Sequence, residues 1–211
     1  MKVELIDKMG TDLSVVNAAR VSFHKESTLN EQYNLRDSDT KLVHYLAKHN
    51  HWSPFAHCFA SFRIKAPIFV ARQLVKHQVG LAWNEVSRRY VDEEPEFWFP
   101  TEWRGKPVNA KQGSNGIRKS PVGFEIAIQV CLTEYNAQIE NGIAPEQARM
   151  VLPQNTMTEW IWSGSLMAFA RVCKLRLDPH AQAETSEIAA QLALHLEQEF
   201  PVSYKALIEN E

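Results

Sequence analysis

Residues 71–90, ARQLVKHQVGLAWNEVSRRY, concentrate more charged and hydrogen-bonding side chains than any other stretch of the sequence. Apolar positions before and within its first half, with no Gly or Pro until Gly80, predict a short helix that Gly80 ends. The side chains predicted to share the polar face of this helix are Arg72, Gln73, Lys76 and His77. Residues 83–90 are predicted to be extended or irregular, and they carry Asn84, Glu85, Ser87, Arg88 and Arg89.

This helix and loop suit one anionic, aromatic ligand. The alternative is a solvated basic surface, which is what most runs of charge are. Neutral donors and acceptors stand among the charges, and they suit the polar edge of a heterocycle better than bulk water. Trp83 and Tyr90 flank the polar cluster, so part of it is predicted to lie against a core. We therefore take the segment as a candidate active centre.

Strands and helices are predicted on both sides of this segment from hydrophobic periodicity and from cap, Gly and Pro residues. The predicted strands are 1–7, 57–66, 97–100 and 154–162. The predicted helices are 12–21, 38–50, 121–141, 145–152, 165–173 and 181–198, with a short helix from Val202. Residues 24–37 and 101–120 are predicted loops. The second loop carries five cations, and it is either a lid over a polyanionic ligand or solvated chain. Those cations are Arg104, Lys106, Lys111, Arg118 and Lys119.

Composition limits the class of protein. The 211 residues are 45% hydrophobic and 23% charged, as expected for one globular domain spanning 1–211. A net charge of −2 gives no overall basic surface for nucleic acid. Charged residues interrupt the start of the chain, and no apolar run is long enough to span a bilayer, so we expect a cytoplasmic protein. Cys58, Cys131 and Cys173 form no C-x-x-C pair and are predicted to be reduced core residues.

Histidines raise a metal hypothesis. His49, His51 and His57 lie close together in sequence, and His180 is a possible fourth ligand. Their spacing does not match a tetrahedral zinc signature, and no acidic residue stands between His49 and His57. We therefore predict no metal site.

Four ordered segments resemble the flavin-dependent thymidylate synthases. Residues 72–90 resemble the family pattern R-Q followed by R-H-R-x-x-S-x-N-x-x-S-x-R and Tyr, although Lys76 and Gln78 replace the two arginines that flank the histidine. One extra residue also lies between His77 and Asn84. The other segments are 49–55 (HNHWSPF), 148–153 (ARMVLP) and 175–184 (LRLDPHAQAE), similar to K-H-x-H-x-[ST]-P-[FL], A-R-x-x-L-P and L-R-x-x-x-x-A-Q-x-E.

The resemblance implies an α+β fold in a single domain, with mixed helices packed on a small, mainly antiparallel sheet. It implies methylation of dUMP to dTMP, with 5,10-methylenetetrahydrofolate as the carbon donor. Hydride would come from reduced FAD, which NADPH regenerates. The family also implies a homotetramer with active sites shared between subunits. The net charge and the lack of a long apolar run predict neither nucleic acid nor a membrane as partner.

Site residues follow from the same resemblance. The implied dUMP contacts are Gln73, Lys76, Glu85, Ser87, Arg88, Arg89, Arg149 and Arg176. The implied FAD contacts are His51, Ser53, Lys76, His77, Gln78, Glu85, Arg171 and His180, and Lys174 is a further candidate. Arg176 is the predicted catalytic residue, because a fixed guanidinium beside the uracil ring would stabilise negative charge there and increase electron density at C5.

A carbon nucleophile is not predicted. Ser87 has no neighbouring base that a third group holds in place, and the cysteines lie among apolar residues. A hydride-based route is consistent with both observations. The alternative function is a non-catalytic module for a nucleotide or single-stranded nucleic acid, in which Trp83 and Tyr90 stack on bases.

Overall fold

The computed structural model describes residues 1–91, 93–108 and 113–209. Its strands are β1 (Lys2–Met9), β2 (Phe59–Pro67), β3 (Leu81–Glu85), β4 (Trp103–Gly105), β5 (Asn115–Arg118) and β6 (Met157–Ser165). Its helices are α1 (Asp12–Arg20), α2 (Asp37–Lys48), α3 (Ile68–Leu74), α4 (Phe124–Glu140), α5 (Pro145–Ala148), α6 (Leu166–Arg176), α7 (Ala183–Glu199) and α8 (Pro201–Glu209). The predicted α+β class is confirmed.

One antiparallel sheet organises these elements. Its strand order is β1-β2-β6-β3, and β4 pairs with β5 in a separate hairpin. The long β2–β6 pair lies at the centre, in register from Phe59 opposite Ser165 to Pro67 opposite Met157. Alternation along β2 buries Phe62 and Ile64, as expected when one face of a sheet packs on helices.

Aromatic rings fill the space between the sheet and α6. Phe62 and Trp162 both meet Phe169 edge to face, with ring centroids 5.0 and 5.3 Å apart. Trp83 of β3 stacks on Trp160 at 4.3 Å. Such ring pairs add stability beyond that from burying large apolar side chains. They hold β3 and α6 against β6, and both elements lead to candidate site residues.

The structure corrects the predicted end of the central helix. Helix α3 ends at Leu74, and His77 N–H donates to the Leu74 carbonyl in a tighter turn. Gly80 lies six residues further on, with φ of +78°, where the chain enters β3. Lys76 and His77 are therefore on the turn and not on a helical face. The physical reason is that Leu81 must pair with Gly164 of β6, which a continuing helix would prevent.

Other predicted boundaries also move. The predicted loop 101–120 contains the β4–β5 hairpin, and Lys111 lies outside the described residues. The predicted strand 97–100 is only one bridge, from Phe97 to Thr156. Strand β6 starts at Met157 and not at residue 154, because Thr156 N–H and hydroxyl both donate to the Pro153 carbonyl in a turn.

The described helices can be compared with the length of a membrane span. None of the helices in the described part of the chain has the length and apolar character that crossing a bilayer requires. The assignment of residues 1–211 to one domain stays a prediction, as does the cytoplasmic location.

Two distant parts of the chain meet at the start of α8. Asp12 is buried, and its carboxylate accepts N–H bonds from Val202 at 3.0 Å and Ser203 at 2.8 Å. These are N–H groups of the first helical turn, which have no partner within the helix. Asp12 therefore caps α8 from the beginning of α1.

We expect Asp12→Ala to lower the free energy of unfolding by about 2 kcal/mol, because two buried N–H groups lose a charged acceptor. Asp12→Asn should cost less, since its amide oxygen still accepts. Urea denaturation measures both. Asp7→Ala is the control, because the exposed Asp7 carboxylate accepts from the adjacent Lys8 N–H of its own edge strand. Equal losses at Asp7 and Asp12 would contradict the capping role.

Candidate active site

The predicted catalytic arginine contacts the motif histidine. Arg176, the last residue of α6, donates from Nε to His77 Nε2 at 3.0 Å across a sequence separation of 99 residues. The turn after α3 presents His77, and the end of α6 presents Arg176. Because a guanidinium has only donors, the bond requires an imidazole with a free lone pair on Nε2. His77 is therefore neutral, with its proton on Nδ1.

Electrostatics favour that neutral form. Burial lowers the pKa of His77, and the positive charge of Arg176 lowers it further. Burial also lowers the pKa of Arg176, but an arginine side chain stays protonated at neutral pH. The pair is thus one fixed cation beside one neutral ring, and the remaining guanidinium N–H groups of Arg176 can meet a ligand.

Gln73 is held in place by a residue that the sequence patterns did not single out. Thr185, fully buried in the first turn of α7, donates from its hydroxyl to Gln73 Oε1 at 2.8 Å. This leaves the amide NH₂ of Gln73 as a donor toward a ligand. Gln73 and His77 are four residues apart, so α3 and its turn bring both to the region where α6 ends and α7 begins.

Lys76 and Gln78 flank His77 on the turn, and both are exposed. The structure therefore keeps the order of the motif, but it places the three residues on irregular chain. Only His77 has a side-chain contact with Arg176 among the described residues. A point charge and a neutral amide thus stand where the family pattern has two guanidinium groups.

Glu85 ends β3, and both of its carboxylate oxygens accept a hydrogen bond within the chain. One carboxylate oxygen accepts from the Thr158 hydroxyl at 2.7 Å, and the other accepts from Trp83 Nε1 at 3.2 Å. Thr158 is a second supporting residue that the motifs did not indicate. These bonds orient the carboxylate on the exposed edge of the sheet.

Ser87, Arg88 and Arg89 follow β3 and make local contacts. Arg89 Nε donates to Ser87 Oγ at 2.9 Å, and its guanidinium lies 5.0 Å from the centre of the Tyr90 ring. Arg88 donates to the Glu93 carbonyl at 2.9 Å. Trp83 packs against the core, whereas Tyr90 is exposed, so this segment lies against the core at its Trp83 end.

Arg149 lies in a short 3-10 turn, Arg149–Val151, and is exposed. Within 1–91, 93–108 and 113–209, no hydrogen bond or ion pair joins Arg88, Arg89 or Arg149 to Arg176. One chain therefore brings together Gln73, His77 and Arg176. Convergence of the remaining arginines on the same ligand stays a prediction.

Three of the predicted flavin contacts, His51, Arg171 and the further candidate Lys174, line one cavity. This cavity of about 300 Å³ lies between α2, α6 and α8. Asn50 and Trp52 line it, and its apolar wall includes Leu46, Phe55, Met167 and Leu207. Neither Asn50 nor Trp52 was a predicted contact, although both stand in the segment 49–55.

The surface continues toward the motif turn. A second cavity of about 270 Å³ shares Trp52, Met167 and Arg171 with the first and reaches Val79 and Gly80. Gly80 is two residues from Gln78. The two cavities therefore form a groove from the end of α2, across Arg171, to the turn that carries His77.

Ser53 and His180 are two further predicted flavin contacts. Ser53 opens the 3-10 turn Ser53–His57, between Trp52 and Phe55 of the cavity wall, and its side chain is exposed. His180 lies in the connection between α6 and α7, where Asp178 accepts from its backbone N–H at 2.7 Å. The described residues contain no group of three His, Cys, Asp or Glu side chains placed to hold a metal ion. The expectation of no metal site stays a prediction.

We expect Arg176→Gln to raise the pKa of His77 only part of the way to the ordinary value of about 6.5, because burial is the larger cause of its lowering. A histidine with a lowered pKa stabilises the fold above its unfolded pKa and loses that contribution as pH falls through the folded pKa. The Arg176–His77 bond should therefore be lost on acidification. Imidazole NMR titration measures the pKa. Arg72→Gln, on the exposed side of α3, is the control. An unchanged pKa of His77 in Arg176→Gln would contradict the contact between Arg176 and His77.

Comparison with known proteins shows the family of the chain. The family model described as "Thymidylate synthase complementing protein" matches residues 4–202. The chain is 38% identical over 208 residues to a flavin-dependent thymidylate synthase of Thermotoga neapolitana, covering 98% of this chain and 90% of that protein. It is 37% identical over 216 residues to that of Kosmotoga olearia, covering 98% and 89%.

Solved structures give the same result. The UMP/dUMP methylase PolB from Streptomyces cacaoi, bound with 5-Br dUMP, superposes with a TM-score of 0.81 at 31% identity, covering 97% of this chain and 93% of that one. The same enzyme bound with 5-Br UMP gives 0.83 at 29% identity, covering 97% and 92%. The chain therefore belongs to the flavin-dependent thymidylate synthase family, and it is a methyltransferase.

Proposed function

We propose that the chain methylates dUMP to dTMP, with 5,10-methylenetetrahydrofolate as the carbon donor and FAD, reduced by NADPH, as the hydride source. The observation that carries this proposal is the Arg176 guanidinium held by neutral His77. The names of the relatives and the dUMP analogue bound to PolB support the substrate and the flavin.

Arg176 is the proposed catalytic residue. Methylation at C5 of uracil needs electron density at C5, which grows when negative charge across N3 and the ring oxygens is stabilised. A guanidinium with a fixed direction supplies that stabilisation without reorganising during the reaction. His77 fixes the direction by accepting from Nε, and this leaves the terminal NH₂ groups of Arg176 for the ring.

The proposed dUMP contacts lie at three places in the chain. Gln73, Lys76 and Arg176 lie around the turn after α3, whereas Glu85, Ser87, Arg88 and Arg89 follow one another at the end of β3. Arg149 is separate again. Phosphate binding needs cations and hydroxyl donors, which the Ser87–Arg89 pair offers.

A homotetramer with shared sites would let these groups meet across subunits. Its support is the outer face of α4, where Ile126 and Val130 are four residues apart, so they share one side of the helix. They are 70% and 63% exposed. Large apolar side chains left on one helical face are typical of a surface that a partner covers.

The groove along α6 fits the chemistry of a flavin dinucleotide. Apolar and aromatic side chains suit a planar ring system, and the Arg171 guanidinium suits a pyrophosphate. We propose that His51, Ser53, His77, Gln78 and Arg171 hold FAD. Lys76, Glu85 and His180 complete the proposed set. A reduced flavin supplies hydride, which no side chain can provide. The chain's own part is to orient ring and substrate and to exclude water.

The thiols support a route without a cysteine nucleophile. Burial raises the pKa of Cys58 to about 11 and that of Cys173 to about 12. Both thiols are therefore protonated at neutral pH, and a thiol is a poor nucleophile. Cys131 lies on α4 and is only partly buried, so the prediction of core cysteines holds for Cys58 and Cys173.

We expect Arg176→Ala to abolish dTMP formation while the purified protein stays folded and yellow, because Arg176 acts on the pyrimidine and the flavin groove is intact. The measurements are product formation and the flavin absorbance spectrum before and after adding dUMP. Retained turnover would show that another arginine has this role. A wild-type protein without flavin or turnover, whose polynucleotide affinity falls steeply with salt, would favour the nucleic-acid module instead.

A second prediction concerns the two replaced arginines. We expect Lys76→Arg/Gln78→Arg to retain FAD more strongly than the wild type, because guanidinium groups add charge and paired donors beside the groove. The measurement is the fraction of flavin kept after matched dialysis. Gln198→Arg, at an exposed position near the end of α7, adds the same single charge elsewhere and is the control for general charge. Equal retention by the double variant and the wild type would contradict a flavin contact at both positions.

A further inference from the structure

The β4–β5 hairpin contacts the segment that joins α6 to α7. Arg104 of β4 forms an ion pair with Glu184 in the first turn of α7, and the two residues are 80 apart in sequence. The side chains are 35% and 13% exposed. The pair is therefore partly shielded from water, so it is stronger than a typical surface pair.

A second contact lies beside the first. Gly113, with φ of +87°, stands so close to the backbone of His180 that an added Cβ would be 3.3 Å from the His180 carbonyl oxygen. The hairpin thus touches the α6–α7 connection at His180 and again at Glu184. At its other side Trp103 meets Phe124 of α4 edge to face at 4.9 Å. The hairpin bridges α4 and the connection.

This connection carries the ends of two site contacts. Arg176 precedes it and donates to His77, and Thr185 follows it and donates to Gln73. Glu184 is adjacent to Thr185. A shift of the first turn of α7 would therefore move the Gln73 partner directly, and it would move Arg176 through the six residues 177–182.

We propose that Arg104 is a positioning residue for this site. Through Glu184 it fixes the start of α7, and with it the Thr185–Gln73 and Arg176–His77 contacts. Arg104 does not touch the ligand in this proposal, which rests on the proposed binding of dUMP by Gln73 and Arg176. The opposite charges and partial burial of the Arg104–Glu184 pair, together with the Gly113 contact, assign this role to the hairpin.

The test compares Arg104→Gln with a matched ion pair at the other end of α7. Lys8 pairs with Glu199 across 191 residues, and their side chains are 37% and 24% exposed. Lys8→Gln therefore removes a cation of similar exposure that lies on β1 and pairs with the far end of α7, away in sequence from the connection. Binding of dUMP to the flavin-loaded protein is measured by isothermal titration calorimetry, and thermal unfolding is measured alongside.

We expect Arg104→Gln to weaken dUMP binding about tenfold or more, and Lys8→Gln to change it less than about twofold, at similar losses of thermal stability. Arg104→Lys should restore part of the affinity, because it keeps one charged donor. Glu184→Gln should weaken binding, and the double variant should lose no more than the larger single loss, since both act through one contact. Hydrogen exchange of residues 177–183 should rise in Arg104→Gln but not in Lys8→Gln.

Different results would overturn the binding of dUMP and the positioning role of Arg104. A wild-type protein that does not bind dUMP would overturn the proposed function. If the wild type binds dUMP and Arg104→Gln binds it equally well, the positioning role alone is overturned. Additive losses of dUMP affinity in the Arg104/Glu184 double variant would also overturn that role alone. If Arg104→Gln does not fold, Glu184→Gln gives the same comparison, because it keeps the shape of the side chain.

Discussion

A close approach between two glycines decides where the active-site turn can lie. A Cβ on Gly164 would stand 2.4 Å from the Gly80 carbonyl oxygen, so only glycine allows β3 to meet β6 at this point. The same carbonyl accepts the Ser165 N–H at 3.2 Å. Gly80 must also adopt a φ of +78°, which other residues rarely adopt. The turn before Gly80 is thereby held against the start of α6, and His77 lies on that turn.

The contact between Arg176 and His77 depends on this arrangement. A guanidinium beside an imidazole is favourable only while the imidazole is neutral, and burial and the neighbouring charge both lower the pKa of His77. The result is a cation whose direction is set by a neutral acceptor. A carboxylate in the same place would also orient the guanidinium, but it would neutralise the charge that stabilises a developing pyrimidine anion in the function proposed above.

Supporting residues follow the same logic at other points of the site. Thr185 turns the amide of Gln73, and Thr158 holds the carboxylate of Glu85. Each hydroxyl lies on a helix or strand and bonds one polar atom of a longer side chain. That bond sets the direction of the remaining polar atoms of the longer side chain. The four family segments contain the longer side chains but not these hydroxyls, since Thr185 is one residue beyond the segment 175–184 and Thr158 lies on β6, outside all four segments.

Sequence patterns located much of this protein before any coordinates. Hydrophobic alternation predicted β2, and the helical period predicted α2, α6 and α7 within a few residues. Four motifs indicated the family, which the comparisons confirm. The errors lie where tertiary pairing overrides local preference. Helix α3 stops at Leu74 because β3 pairs with β6, and the predicted loop 101–120 contains the β4–β5 hairpin.

The sequence by itself determined the class of fold, the family and the residue types of the site, because periodicity and motif spacing are local properties of the chain. Only the tertiary structure decided that Arg176 meets His77, that His51 and Arg171 share one groove, and that Arg104 reaches Glu184. Each of these contacts joins residues about 80 to 120 positions apart. Their distance depends on how the strands pair and how the helices pack, and no local pattern encodes it.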